Sequence, residues 1–157
     1  MPTLLALRTA FGRLAASVAL LSVAACGRLD RECRAVSGTA NAFIAESERQ
    51  RPRPDATPAE TVKAELATAT RYDRLAADLA ALKVESSELE PEVRSYRELA
   101  EHSAAALRAV ADALGRGDFE AARSKRIELD AAAKGEGPLV ARINGICGTA
   151  KADARAP

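Results

Sequence analysis

The sequence predicts an all-α fold, an antiparallel up-down-up-down four-helix bundle whose fourth helix is kinked. Apolar residues recur every three or four positions through four successive segments, which is the period of a helix with one buried face. The connections between these segments are short, so consecutive helices should run antiparallel. Cys33 lies near the start of the first segment and Cys147 near the end of the last, and this topology brings those two places to the same end of the bundle.

The first two helices are separated by a proline-containing loop. Helix one is predicted over about Asp30 to Arg49. Helix two starts at Thr57, which is followed by a proline at the first helical position and by Glu60, the pattern of a capping box. Its spacing predicts a buried face made of Val62, Leu66, Ala69, Tyr72 or Asp73, Ala76, Leu79 and Leu82.

The third helix is predicted from Pro91 to Leu114, and Gly115 is expected to be the left-handed residue after its end. Asp118 then caps the fourth helix. Two glycines and a proline over 135–138 should break that helix. The three-and-four spacing nevertheless continues through positions 119, 122, 126, 129, 133, 136, 140, 143 and 147. This preserved phase favours one kinked helix over two independent ones.

Residues 1–25 have the three parts of a secretory signal that is cleaved from the mature chain. Two arginines precede an apolar stretch, Leu14–Ala25, which is too short to span a bilayer core of about 30 Å as a helix. The stretch ends in the tetrapeptide Val-Ala-Ala-Cys, the pattern of a lipobox, whose cysteine (here Cys26) receives a lipid before cleavage ahead of it. An ordinary signal cut after Ala25 is the alternative.

The number of cysteines favours lipidation. The chain has three, and a lipid on Cys26 leaves Cys33 and Cys147 as an even pair in an exported compartment, where disulfides persist. We therefore predict a Cys33–Cys147 disulfide. The expected layout is a signal peptide over 1–25, a lipidated tether over 26–29, the helical bundle over 30–149 and a disordered tail over 150–157.

The lipobox resembles that of bacterial lipoproteins. The mature part, with Cys33 near its start and Asn144-Gly145-Ile146-Cys147 near its end, resembles small helical lipoproteins of GC-rich Gram-negative bacteria. The resemblance implies a cell-envelope protein that is anchored by lipid and faces the periplasm. Because Gly27, and no aspartate, follows the cysteine, it also implies the outer membrane. It carries over no functional residue.

Composition argues against several classes of function. Without the signal the charge is close to neutral, which gives no general attraction for nucleic acid. No phosphate-binding glycine loop, Cys-x-x-Cys pair or nucleophile elbow is present, so the sequence predicts neither an enzyme nor a cofactor. Aromatic residues outside the signal are few: Phe43, Tyr72, Tyr96 and Phe119. We expect an aliphatic, alanine-rich core that leaves little cavity.

Our first hypothesis is a non-enzymatic binding or structural protein of the cell envelope. The end of the bundle away from the lipid would gather Arg49, Arg51, Arg53 and Arg116, named here the arginine tip. Such a tip would suit an envelope protein or an anionic envelope polymer as the partner. Ordinary charged loops are the alternative interpretation.

The second hypothesis is a periplasmic module that binds or senses a metal or a small ligand around His102, the one histidine of the chain. Glu98 lies four residues before it and Glu101 directly before it. One imidazole with one or two carboxylates needs ligands from another helix to hold a metal. A solvated histidine is the alternative.

Overall fold

The computed structural model describes the backbone of residues 6–49 and 56–153 and the side chains of residues 27–49 and 56–148. Its helices are α1 (Ala6–Arg49), α2 (Pro58–Ala81), α3 (Glu90–Gly115), α4 (Phe119–Ala133) and α5 (Glu136–Asp153). No strand occurs in the described residues. Helices α4 and α5 together form a fourth helix that is bent by 22°. The predicted all-α bundle with a kinked fourth helix is therefore confirmed.

Helix α3 is the central element, packed along α2 and α4, while α1 lies against α2 and α5. Arg28 of α1 pairs with Glu85, which follows α2, whereas Glu46, near the end of α1, pairs with Arg74 inside α2. The two helices thus run antiparallel. The main hydrophobic cluster consists of Cys33, Val36, Leu75, Ala76, Leu79, Leu89, Val93, Tyr96, Ala100, Leu139 and Ile143. Ala122 of α4 is buried as well.

The outer limits of the bundle differ from the sequence prediction. Helix α1 begins at Ala6 instead of about Asp30, because residues 6–29 are rich in alanine and leucine and contain no proline. Helix α5 continues to Asp153 and so enters the predicted tail, which contains good helix formers such as Lys151. Residues 154–157 and the side chain of Cys26 lie outside those described. In the part of the chain that the structure describes, no helix has the length and apolar character of a membrane span.

The capping box of α2 is confirmed. The backbone N–H of Glu60 donates to Thr57 Oγ1 at 3.3 Å, and the backbone N–H of Thr57 donates to Glu60 Oε2 at 2.7 Å. The hydrogen bonds from Thr57, its side chain first, lower the pKa of Glu60. The box fixes the start of the helix at the expected residue.

The predicted buried face of α2 is wrong at Leu66, although Ala69 is buried as expected. Leu66, predicted to be buried, is 46% exposed, whereas Glu65 and Arg71 are 8% and 6% exposed. Because Glu46 contacts Arg74, the first half of α2 extends past the end of α1 and faces α3 and α4 instead. There, Arg126 of α4 pairs with Glu65. This partner offsets part of the cost of burying the carboxylate.

The turn between α3 and α4 also differs by two residues from the prediction. Gly117, and not Gly115, is the left-handed residue, with φ +74°. The N–H of Asp118 donates to the carbonyl of Ala113 at 2.9 Å and that of Gly117 to Leu114 at 3.0 Å, the pattern of a Schellman motif. Asp118 caps α4 as expected, since its Oδ1 accepts from the N–H of Ala121 at 3.0 Å.

The bend of the fourth helix is centred on Gly135. A Cβ atom at this position would lie 3.2 Å from the carbonyl oxygen of Ala132, so a side chain would be crowded there. Pro138 falls in the first turn of α5, where a missing N–H costs little. After the bend, Leu139 is buried in place of the expected Val140, and Ile143 is buried as expected; before it, the expected positions Phe119 and Ala133 are exposed.

The predicted disulfide is present. Cys33 of α1 and Cys147 of α5 are bonded, with their Cα atoms 5.6 Å apart. Next to Cys33, the buried carboxylate of Glu32 accepts hydrogen bonds from the backbone N–H groups of Glu85 and Ser86, at 3.1 and 3.2 Å. The same end of the bundle is thus closed by a covalent link and by a carboxylate that holds the α2–α3 connection.

Candidate functional site

A cleft of about 380 Å³ opens where the end of α1, the middle of α2 and α3, and the bent fourth helix come together. The expectation of little cavity is therefore wrong. Helix α1 stops part-way along α2, and the fourth helix bends at the same level of the bundle, so the four helices do not close on one another here. This cleft, named here the central cleft, is the candidate functional site.

One end of the central cleft is aromatic. Phe43 of α1 and Tyr72 of α2 are in contact, with ring centroids 4.8 Å apart and planes inclined at 52°. Tyr96 of α3 lines the same end. The chain has three phenylalanines, two tyrosines and no tryptophan, so most of its aromatic residues, including both tyrosines, meet at this one place.

Glu136, the first residue of α5, lines the cleft together with Tyr96, and its charge acts on the Tyr96 phenol. Burial raises the pKa of Tyr96 to about 12, and the negative charge of Glu136 adds to the shift. Burial and Glu136 also raise the pKa of Tyr72, against the opposing effect of Arg71. Both phenols therefore stay protonated near neutral pH and serve as hydrogen-bond donors.

The other end of the cleft is polar. Glu65 and Arg126 form an ion pair between α2 and α4. Arg71, which is 6% exposed, donates from Nη2 to Thr68 Oγ1 at 2.7 Å. Ser103 of α3 is 4% exposed and lines the same region. Charged and hydroxyl groups at this end provide hydrogen bonds, whereas the aromatic end provides an apolar surface.

Ser47, near the end of α1, contributes a further polar atom. Its Oγ is buried and has no hydrogen-bond partner among the described residues. Ser47 lines the central cleft. A buried hydroxyl generally finds a partner in protein, water or a ligand, so Ser47 is suited to bond to a molecule in the cleft.

Sequence reasoning missed the cleft, although a signal was present. The helical phase of the fourth helix placed Arg126 and Glu136 at positions that otherwise carry small or apolar residues. A charged residue in a core phase predicts a buried partner or a polar cavity. The buried Glu65 and Arg71 gave no such signal, because they lie off the apolar stripe that the sequence shows for helix two.

The arginine tip is only partly within the described residues. Arg49 ends α1 and is exposed, and Arg116 follows α3, where it pairs with Asp112. Arg51 and Arg53 lie outside the described residues. The end of α1 lies beside the second half of α2, so Arg49 does not reach the end of the bundle at which α2 begins. The grouping of Arg51 and Arg53 with Arg116 stays a prediction.

The second predicted site does not bring further ligands to His102. The imidazole and both neighbouring carboxylates, Glu98 and Glu101, are exposed on α3, and Glu101 pairs with Arg97 at 3.4 Å. Within residues 27–49 and 56–148, no group of three or more histidine, cysteine or acidic side chains is arranged to hold a metal ion. The hypothesis of a site around His102 gains no support from the described residues.

Comparisons with protein-family models, with curated proteins and with solved structures give no match to this chain.

Proposed function

We propose that this protein is a lipid-anchored, non-enzymatic binding protein of the cell envelope that holds a small molecule in its central cleft. The observation that carries the proposal is the cleft itself. Its volume of about 380 Å³ lies within the range of small-molecule sites, and it combines an apolar wall with a few polar groups. A structural bundle needs no such opening between its helices, because close packing of the same residues would be more stable.

The position of the cleft suits a tethered protein. Cys33 marks the end of the bundle next to the proposed lipid on Cys26, and Phe43 lies ten residues further along α1. This is about 15 Å of helix. A tethered bundle would thus hold the cleft clear of the headgroups, where dissolved molecules can reach it. The outer membrane and the periplasmic side remain part of the proposal, on the pattern around Cys26.

A binding role is favoured over catalysis because of the state of the polar groups. Burial raises the pKa of Tyr96 to about 12, so the phenol is a poor general base near neutral pH. Glu65 is occupied by Arg126. These groups are arranged to fix the orientation of a ligand, which is what a binding site requires.

The cleft is tested by ligand-observed NMR with a set of small compounds that includes cations, anions and neutral molecules. Ala133→Leu places a larger side chain at an exposed position that lines the cleft. Ala131→Leu, an exposed position on the same helix that does not line it, is the matched control. We expect at least one compound to bind saturably at one site, and Ala133→Leu to weaken it by about tenfold while Ala131→Leu leaves it unchanged. Absence of any binding, or equal binding to both variants, would overturn the proposal.

The anchor is tested separately by the intact mass of the protein from the membrane fraction of its host, with and without reductant. The proposal expects residues 26–157 plus acyl chains, and a gain of two hydrogens on reduction of the disulfide. A mass without acyl groups would contradict the anchor and leave the binding test unaffected.

A further inference from the structure

We infer that the ligand of the central cleft is a small organic monocation, an ammonium compound of about the size of choline, whose charged group lies at the aromatic end between Tyr72, Tyr96 and Glu136. The inference rests on the proposed binding function and adds the chemical class of the ligand. It is carried by three features of the lining: the balance of its charges, the grouping of its aromatic rings and the nature of its remaining wall.

The charges that line the cleft are not balanced. Three carboxylates face two guanidinium groups, and one carboxylate, Glu65, is already paired with Arg126. Asp130 and Glu136 have no cationic partner among the described residues. Arg71 is bonded to Thr68, and its charge also acts on Tyr72. With Asp130 and Glu136 it leaves one net negative charge in the lining. A ligand with one positive charge would therefore neutralise the excess negative charge at the fourth helix.

The aromatic end suits a cation that carries alkyl groups. Phe43, Tyr72 and Tyr96 come from three helices and line one end of the cleft. The negative face of an aromatic ring attracts an ammonium group, most strongly where water is excluded, and aromatic cages use this attraction to bind quaternary ammonium compounds. Tyr96 is 4% exposed, so little water competes at this point.

Glu136 is placed to complete such a cage. It lines the cleft together with both tyrosines, and its negative charge acts on both phenols. A carboxylate has lone pairs for a hydrogen-bond donor or for a cation in van der Waals contact. Because Glu136 is the first residue of α5, the bend of the fourth helix turns this side chain towards α3.

The rest of the wall accommodates an uncharged remainder of the ligand. Leu99 and Leu107 of α3 and Leu129 of α4 also line the cleft. Choline-sized cations carry methylene groups and a single hydroxyl, which match this apolar wall and the hydroxyl of Ser47.

The test uses the intrinsic fluorescence of the protein. The chain has no tryptophan, and both of its tyrosines line the cleft, so the emission reports on this site alone. Choline chloride is titrated beside its neutral isostere, in which a tert-butyl group replaces the trimethylammonium group, and beside acetate. Sodium chloride at equal ionic strength is the salt control. We expect a saturable change with choline and none with the other two compounds.

Choline affinities measured by calorimetry on carboxylate variants then show which carboxylates attract the cation. Glu136→Gln should weaken binding about tenfold and Asp130→Asn several-fold, because each removes one of the charges that attract the cation. Glu98→Gln, which removes an exposed charge of α3 outside the cleft, should leave the affinity unchanged. Circular dichroism shows whether each variant is folded. If Glu136→Gln does not fold, Asp130→Asn decides the test.

Failure of the inference is distinct from failure of the proposed function. Equal binding of choline and the neutral isostere would overturn the charge argument, as would binding of acetate without choline. In both cases a small-molecule site would remain. No binding of cations, anions or neutral compounds would overturn both the inference and the proposed function. A choline affinity that is unaffected in both Glu136→Gln and Asp130→Asn would place the cation elsewhere.

Discussion

Cys33 and Cys147 lie 114 residues apart in sequence, and their disulfide joins α1 to α5 with a Cα–Cα distance of 5.6 Å. Helix α1 packs against α2 and α5 only weakly compared with the packing of α3 on its neighbours. The disulfide therefore fixes the helix that packs least extensively against its neighbours. It also closes the end of the bundle that carries the proposed tether.

Removing this link should lower stability without changing the fold. The double variant Cys33→Ser and Cys147→Ser is expected to lose about 2–4 kcal/mol of unfolding free energy, because the unfolded chain regains the entropy of a long open loop. Urea denaturation followed by circular dichroism measures the loss. The native protein with reductant should match the variant without it. A midpoint unchanged by either treatment would contradict the prediction.

Glu32 should matter for stability more than any exposed carboxylate of α1. Its buried side chain accepts the N–H groups of Glu85 and Ser86, and Glu32→Ala leaves both without their acceptor. The expected cost is about 1–3 kcal/mol. Glu48→Ala, at an exposed position of the same helix, is the control and should change stability by less than about 0.5 kcal/mol. Thermal unfolding of the two variants tests the difference, and equal melting temperatures would argue against this role of Glu32.

Two glycines of the α3–α4 turn should respond to alanine with opposite signs. Gly117 has φ +74°, so Gly117→Ala should cost about 1 kcal/mol. Gly115 is helical and has open space where a Cβ would be, so Gly115→Ala should be neutral or stabilising by up to about 1 kcal/mol. Chemical denaturation of both variants measures the pair. The prediction fails if Gly115→Ala is the more destabilising of the two.

The raised pKa values of the two tyrosines predict that the protein loses stability at alkaline pH. The pKa of Tyr96 is raised from 10.0 to about 12 in the folded protein, so the folded state retains a proton that the unfolded state loses. The stabilisation from this phenol is complete below about pH 10 and is lost as the pH rises towards about 12. The pKa of Tyr72 is shifted in the same direction. Unfolding midpoints measured across this range should fall steadily.

Glu136→Gln gives the matching spectroscopic test. Loss of its negative charge should lower the pKa of both tyrosines, which is measured by the absorbance of tyrosinate during an alkaline titration. Glu98→Gln should leave the titration curve unchanged. If the curve of Glu136→Gln overlays that of the native protein, Glu136 does not act on these phenols.

Local signals in the sequence predicted the parts of the fold that depend on neighbouring residues. The capping box of Thr57 and Glu60 and the cap at Asp118 use side chains that bond to the backbone within three residues, so their spacing alone is sufficient. The kink at Gly135 depends on glycine and proline in the same way. The prediction that Gly115 is the left-handed residue was wrong. Gly115 and Gly117 both fit the pattern, and the choice between them depends on where α3 ends.

The sequence by itself determined the all-α class, the order of the helices and the Cys33–Cys147 pair, because periodicity, caps and cysteine number are properties of the chain. Only the tertiary structure decided that α1 ends beside the second half of α2 and that Glu65, Arg71 and three aromatic side chains meet around one cleft. The physical reason is that the relative lengths of packed helices and the direction of a bend set which faces meet. Neighbouring residues of a helix point in directions about 100° apart, so a small change in the packed face buries one and exposes the other. In α2, Glu65 is buried and Leu66 is exposed for this reason.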